Sequence, residues 1–240
     1  MSDKPLDKAE RGWGMYFQQY FDGQIEVHDV AVNGRSTRNF RTEGRWAKVL
    51  AELHPGDWVF IQFGHNDSKM EDTARYVAPQ TAYRQNLTRF VQEARQKGAL
   101  PVLLTPVGRR YFDAKGQRKD DHGEYPGVAK EVAKQQKVPL IDLHETSWAL
   151  YAQLGEKGTQ PLFWSYQNGA HNAKLDNTHF SAYGAERVAQ LVAQDVKKLN
   201  LPLAKNLRAT GFDGKFVFDL PVVLAPYFEK DTFNIKRLSK

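Results

Sequence analysis

The chain has 240 residues, of which 41% are hydrophobic and 26% charged, a balance that suits one globular domain with a sizeable core. Its formal charge of +6 favours polyanions, yet Lys and Arg are interleaved with Asp and Glu and no nucleic-acid motif accompanies them, so a nucleic-acid partner is not expected. The absence of cysteine excludes disulfides, thiolate metal sites and cysteine nucleophiles, and no apolar run approaches the roughly 18 residues of a membrane helix, so no membrane partner is expected either.

Taken in chain order, residues 27–32 form a short apolar run that predicts a first buried strand. Trp46, Val49, Leu50 and Leu53 then fall at i, i+3, i+4 and i+7, the spacing of a helix with one buried face. Pro55-Gly56-Asp57 introduces a second strand over 58–63. Tyr83, Leu87, Phe90, Val91 and Ala94 mark a longer helix that Gly98 ends. Strands are predicted at 100–104 and 138–143, with a weaker helix after Pro126 between them and another from about Thr146 to Leu154. Residues 155–177 show little periodicity and contain Phe163, Trp164 and Tyr166, which predicts a long loop. A final helix runs from Ser181 to about Leu199 with Val188, Leu191, Val192 and Val196 inward. The tail holds two strand-like runs, 215–218 and 222–225, separated by Pro221.

Strands alternating with helices imply right-handed crossovers and an α/β fold, a three-layer α/β/α sandwich with a parallel sheet. The expected organisation is one domain over residues 1–200 and a C-terminal extension over 201–240 packed on or near it.

Ester chemistry needs a nucleophile, a base, a group that orients the base, and donors for the developing oxyanion. Asp176, three residues before His179, can accept from one imidazole nitrogen and leave the other free to take a proton. Gly34 can present a backbone N–H without a side chain in the way, and Asn66 offers a directed amide. By spacing alone the same residues also read as a capping Asp, a surface His, a turn and a helix cap.

Longer strings decide between these readings. Asn33-Gly34-Arg35-Ser36-Thr37, Gly64-His65-Asn66-Asp67 and Asp176-Asn177-Thr178-His179-Phe180 resemble the second, third and fifth sequence blocks of the SGNH (GDSL-type) hydrolases. Within that superfamily the likeness is greatest to rhamnogalacturonan acetylesterases. The resemblance implies that His179 is the base, Asp176 its orienter, and Gly34 and Asn66 the oxyanion donors, with no metal or other cofactor. It implies a serine acyl-enzyme route that removes acetyl groups from pectic polysaccharide or oligosaccharide, and an extracellular or periplasmic location. The family's first block, Gly-Asp-Ser-Thr at the end of the first strand, is missing from this sequence. The sheet is therefore expected to lack that strand, the chain as given to be inactive, and the exposed edges to permit a homodimer. Ser2, Ser36 and Ser68 are not convincing substitutes for the absent serine. Arg109 and Arg110 follow a predicted strand on the catalytic side and are expected to meet uronate carboxylates, with Arg75 nearby; Trp164 offers a flat face for a sugar ring.

Two rival readings remain at this level. A metal-dependent hydrolase would use pairs such as His65 with Asp67, Asp121 with His122, or Asp142 with His144. A non-catalytic glycan-binding or scaffold protein would keep the cleft without the nucleophile.

Overall fold

The computed structural model describes residues 10–167 and 176–208. Three strands, β1 (Trp58–Gln62), β2 (Leu100–Leu104) and β3 (Leu140–Ile141), form a parallel sheet in the order β1-β2-β3, with Trp58 opposite Leu100 and Leu103 opposite Leu140. Successive side chains of a strand point to opposite faces, and β2 sorts its residues accordingly. Val102 and Leu104 enter one apolar core and Leu103 the other.

Helices α1 (Gly14–Phe17), α6 (Leu143–Gly158) and α8 (Ala182–Lys198) close the first core through Phe17, Trp148, Val188 and Val192. Helices α2 (Thr37–Thr42), α3 (Arg45–Glu52), α4 (Arg84–Gln96) and α5 (Tyr125–Gln136) close the second through Phe40, Trp46, Phe90 and Val128. The predicted α/β sandwich with a parallel sheet is thus the observed architecture. Among the described residues no helix is long and apolar enough to cross a membrane.

Three sequence expectations change. Residues 27–32 run without a strand ladder, because a ladder needs a neighbour about 4.8 Å away and an open cleft lies there instead. That cleft, about 1810 Å³, has residues 24–35 on one side and the free edge of β1 on the other. The strand predicted over 138–143 shortens to two residues, since only Leu140 and Ile141 pair with β2. The long loop predicted over 155–177 is partly regular. Helix α6 continues to Gly158 across a kink at Gly155, where φ is +69°, and Phe163 is fully buried ahead of a short helix α7 (Trp164–Gln167).

Residues 168–175, Ser2 and the tail runs 215–218 and 222–225 lie outside the described residues. Residues 201–208 pack against the rest of the described chain. Leu201 and Leu203 are buried, and Arg208 donates from Nε to the Phe21 carbonyl at 2.6 Å.

The last helix is anchored tightly because its first turn carries the loop that precedes it. Ser181 caps α8, accepting from the Gly184 N–H at 3.0 Å while donating to the Pro161 carbonyl at 2.7 Å. Gly184 lets the helix approach this far, for a Cβ there would stand 1.9 Å from the Leu162 carbonyl oxygen. Gly184→Ala should therefore destabilise the protein by about 1–3 kcal/mol despite alanine's better helix propensity, read as a lower midpoint in urea unfolding. An unchanged or raised midpoint would show that the contact relaxes freely.

Candidate active site

The loop before α8 holds Asp176 and His179. Asp176 Oδ1 accepts from the backbone N–H groups of Thr178 and His179 at 2.7 and 3.0 Å, and its Oδ2 accepts from His179 Nδ1 at 2.6 Å. Trp164 Nε1 donates to the same Oδ2 at 3.1 Å. Burial pulls the Asp176 carboxyl upward, but the hydrogen bonds from the His179 ring, the His179 backbone and Trp164 outweigh it and hold the group well below the ordinary carboxylate range. The carboxylate therefore stays charged, which fixes the proton of a neutral His179 on Nδ1. His179 lines the cleft, and its Nε2 makes no hydrogen bond to any described residue.

Gly34 and Asn66 line the same cleft from two other loops. Gly34 sits at φ +76°, a left-handed conformation that suits glycine and turns the chain after the extended segment. Asn66 accepts at Oδ1 from the Arg75 guanidinium at 3.3 Å and donates from Nδ2 to the Arg35 carbonyl at 3.3 Å, so its amide orientation is set. One Nδ2 hydrogen remains for a ligand.

The two donor loops are tied together by Asp67, which is fully buried. Its Oδ1 accepts from the Thr37 backbone N–H at 2.9 Å and from Thr37 Oγ1 at 2.6 Å, and its Oδ2 accepts from the Gly64 N–H at 3.1 Å. Burial pushes its carboxyl up to about 6, against the pull of the Thr37 and Gly64 hydrogen bonds.

The structure separates the three residues expected to bind substrate. Arg109 reaches the cleft, but its guanidinium is committed to backbone carbonyls, those of His65 at 3.0 Å and Asp121. Arg110 is buried and points away; it donates to Thr159 Oγ1 at 2.9 Å, Glu156 O at 2.6 Å and Asn177 Oδ1 at 3.3 Å, while its backbone N–H holds Asn177 O at 2.9 Å. It braces the Asp176–His179 loop from behind. Trp164 does not line the cleft and instead holds Asp176. Asp67 and Trp164 are the supports that sequence reasoning missed, although each lies inside or beside a string already singled out.

The pairs of the metal reading are engaged differently. Asp121 accepts from the Arg109 N–H and pairs with His144 Nε2 at 2.8 Å. His122 Nε2 lies 2.9 Å from the Val107 carbonyl and its Nδ1 lies 3.3 Å from Arg109, a setting that fits a neutral ring protonated at Nε2. Burial lowers His122 to about 4, with Arg109 acting in the same direction. Among the described residues no three His, Asp or Glu side chains converge on a metal position.

An imidazole nitrogen with no partner among the described residues, lining one cleft with an amide and a glycine N–H, is an arrangement that acyl hydrolysis can use, and comparison with known proteins gives the family. The chain belongs to the GDSL-like lipase/acylhydrolase family, whose sequence model matches residues 2–187. It is 41% identical over 212 residues to the rhamnogalacturonan acetylesterase RhgT of Bacillus subtilis, covering 86% of this chain and 90% of that protein. The probable rhamnogalacturonan acetylesterase YesY of the same organism is 37% identical over 196 residues, covering 82% and 88%. The crystal structure of B. subtilis YxiM superposes with a TM-score of 0.73 at 25% identity over 84% of this chain, which spans 54% of that structure. Axe2, an acetylxylan esterase from Geobacillus stearothermophilus, shares the fold at a TM-score of 0.55 and 16% identity, over 86% of this chain and 90% of that one.

Two outcomes follow from the buried groups. Asp67→Asn keeps the shape but turns an NH₂ toward either the Gly64 or the Thr37 donors; it should cost about 1–3 kcal/mol in denaturant unfolding. His122 is depressed from 6.5 to about 4, so its contribution to stability is full above 6.5 and is lost as the pH falls toward 4. The stability difference between the wild type and His122→Gln should accordingly shrink between pH 6.5 and 4. A pH-independent difference would show that His122 is protonated alike in both states.

Proposed function

We propose that this protein is a carbohydrate acetylesterase that removes acetyl groups from rhamnogalacturonan-like pectic polysaccharide through a serine acyl-enzyme. The observation that carries the reading is His179. Its Nδ1 is held by a charged Asp176, and among the described residues its Nε2 has no partner in the cleft lined by Asn66 and Gly34. The names of the relatives RhgT and YesY support the substrate class.

In this reading a serine hydroxyl gives its proton to His179 Nε2 as it attacks the acetyl carbonyl. The Asn66 amide and the Gly34 N–H take up the negative charge that develops on oxygen. His179 then returns the proton to the departing sugar hydroxyl, and the same base activates water to release acetate. Asp176 stabilises the imidazolium in both halves.

The serine itself is not Ser36 or Ser68. Ser36 is fully buried as the cap of α2, and Ser68 Oγ donates to the His65 carbonyl at 3.3 Å. The sequence contains no Gly-Asp-Ser string, and we assign the nucleophile to such a block.

The 240-residue chain alone should therefore hydrolyse p-nitrophenyl acetate at close to the background rate. Fusing an apolar strand ending in Gly-Asp-Ser-Thr ahead of Met1 should confer activity. In that fused enzyme His179→Ala should lower kcat by several orders of magnitude. Asn66→Ala should lower it about 10²- to 10³-fold with little change in KM, as expected for one oxyanion donor. Organophosphate labelling of Ser36 or Ser68 with loss of turnover would refute the nucleophile assignment. Full activity in the fused His179→Ala variant would refute the mechanism.

A further inference from the structure

We propose that Lys69 binds a uronate carboxylate of the polysaccharide and so makes the cleft select acidic glycans over neutral ones. The inference rests on the pectic reading above and names the part of the substrate that this site reads.

Lys69 lies on the turn that follows Asn66, where its N–H donates to the Asn66 carbonyl at 3.4 Å and its own carbonyl accepts from the Asp72 N–H at 3.0 Å. Among the described residues it is the only lysine lining the cleft, together with Asn66, Arg75 and Arg109. The three neighbouring cations differ in one respect. Arg75 is committed through Nε to Asp72 at 2.5 Å and through a terminal nitrogen to Asn66 at 3.3 Å. Arg109 is committed to the carbonyls of His65 and Asp121. Lys69 as a residue is half-buried, and its ammonium makes no hydrogen bond or ion pair with any described residue.

Partial burial disfavours the charged Lys69, and the positive Arg75 and Arg109 disfavour it further; Glu71 and Asp72 offset this only in part. A partly desolvated ammonium near two guanidiniums is less favourable than one in water, and an anion between them relieves this. A carboxylate in the cleft supplies that anion and accepts from the unused donors, whereas a neutral sugar supplies only hydroxyls. A lysine suits this task, because a point charge on a flexible stem tolerates the varied orientation of a carboxylate along a polymer. Arg109 and Arg110, the cations that sequence position suggested, are occupied with the protein's own groups.

Binding can be read on the 240-residue chain without turnover, by calorimetric titration with tetragalacturonate and, separately, with neutral xylotetraose at low salt. The wild type should prefer tetragalacturonate, and the preference should fade as salt is added. Lys69→Ala should weaken tetragalacturonate binding about 10-fold and leave xylotetraose unchanged, the scale of one lost charge-assisted hydrogen bond. Lys69→Glu should abolish the preference and Lys69→Arg should keep it, with melting temperatures like the wild type. If the wild type prefers tetragalacturonate and Lys69→Ala and Lys69→Glu do so equally, the assignment of Lys69 is overturned while the pectic reading stands. If the wild type binds xylotetraose as well as tetragalacturonate, or binds neither, the proposal falls together with that reading.

Discussion

The active-site half of this molecule depends on one buried carboxylate. Asp67 draws three donors from two separate loops onto a single side chain, two from Thr37 and one from Gly64. Its own carbonyl accepts from the Val77 N–H at 3.0 Å and from the Tyr125 hydroxyl at 2.9 Å. The loop after residue 32, the loop after β1, and the start of α5 therefore meet at one residue. Gly34 stands three residues before Thr37 and Asn66 immediately before Asp67, so the spacing of the proposed oxyanion donors is inherited from this junction. Burying a carboxylate is unfavourable, as its raised pKa records, and only full use of its lone pairs offsets that.

The other half is organised by the opposite electrostatic situation. Asp176 is held in its charged form by four donors, and its hydrogen bonds leave one lobe of the His179 ring exposed to the cleft. Behind that loop Arg110 reaches Asn177 through both its backbone and its side chain. A cation buried for support on one side and a carboxylate kept charged on the other confine the imidazole without contact to its reactive nitrogen. In the proposed mechanism the geometry of the base is thus set by supporting residues behind it.

Much of this was legible in the sequence, and the exceptions have physical causes. Apolar runs bounded by Pro55-Gly56 and Gly98 mark β1 and β2 because local turn chemistry and side-chain pattern agree there. Residues 27–32 carry the same pattern, but the pattern reports what side chains can bury and says nothing of whether a neighbouring backbone stands beside them. The kink at Gly155 broke the helical period and made an ordered stretch resemble a loop, so the buried Phe163 passed for a loop aromatic. The strings around Asn66 and His179 placed these residues in one cleft, since loops at the carboxyl ends of parallel strands converge. Arg109 and Arg110 were read as equivalent because adjacent positions in a loop carry no signal of direction; one reaches the cleft and the other the core. Lys69 stands in a polar turn where nothing in the sequence sets it apart from other surface lysines.

The open edge of β1 has a further consequence. Its five residues pair with β2 on one side, and on the other they meet no strand among the described residues, while the extended stretch 25–32 stands across the cleft. Such an edge carries backbone N–H and C=O groups that no described strand takes up, and Trp58 and Phe60 line the cleft beside it, so an added strand would gain both a ladder and apolar contact there.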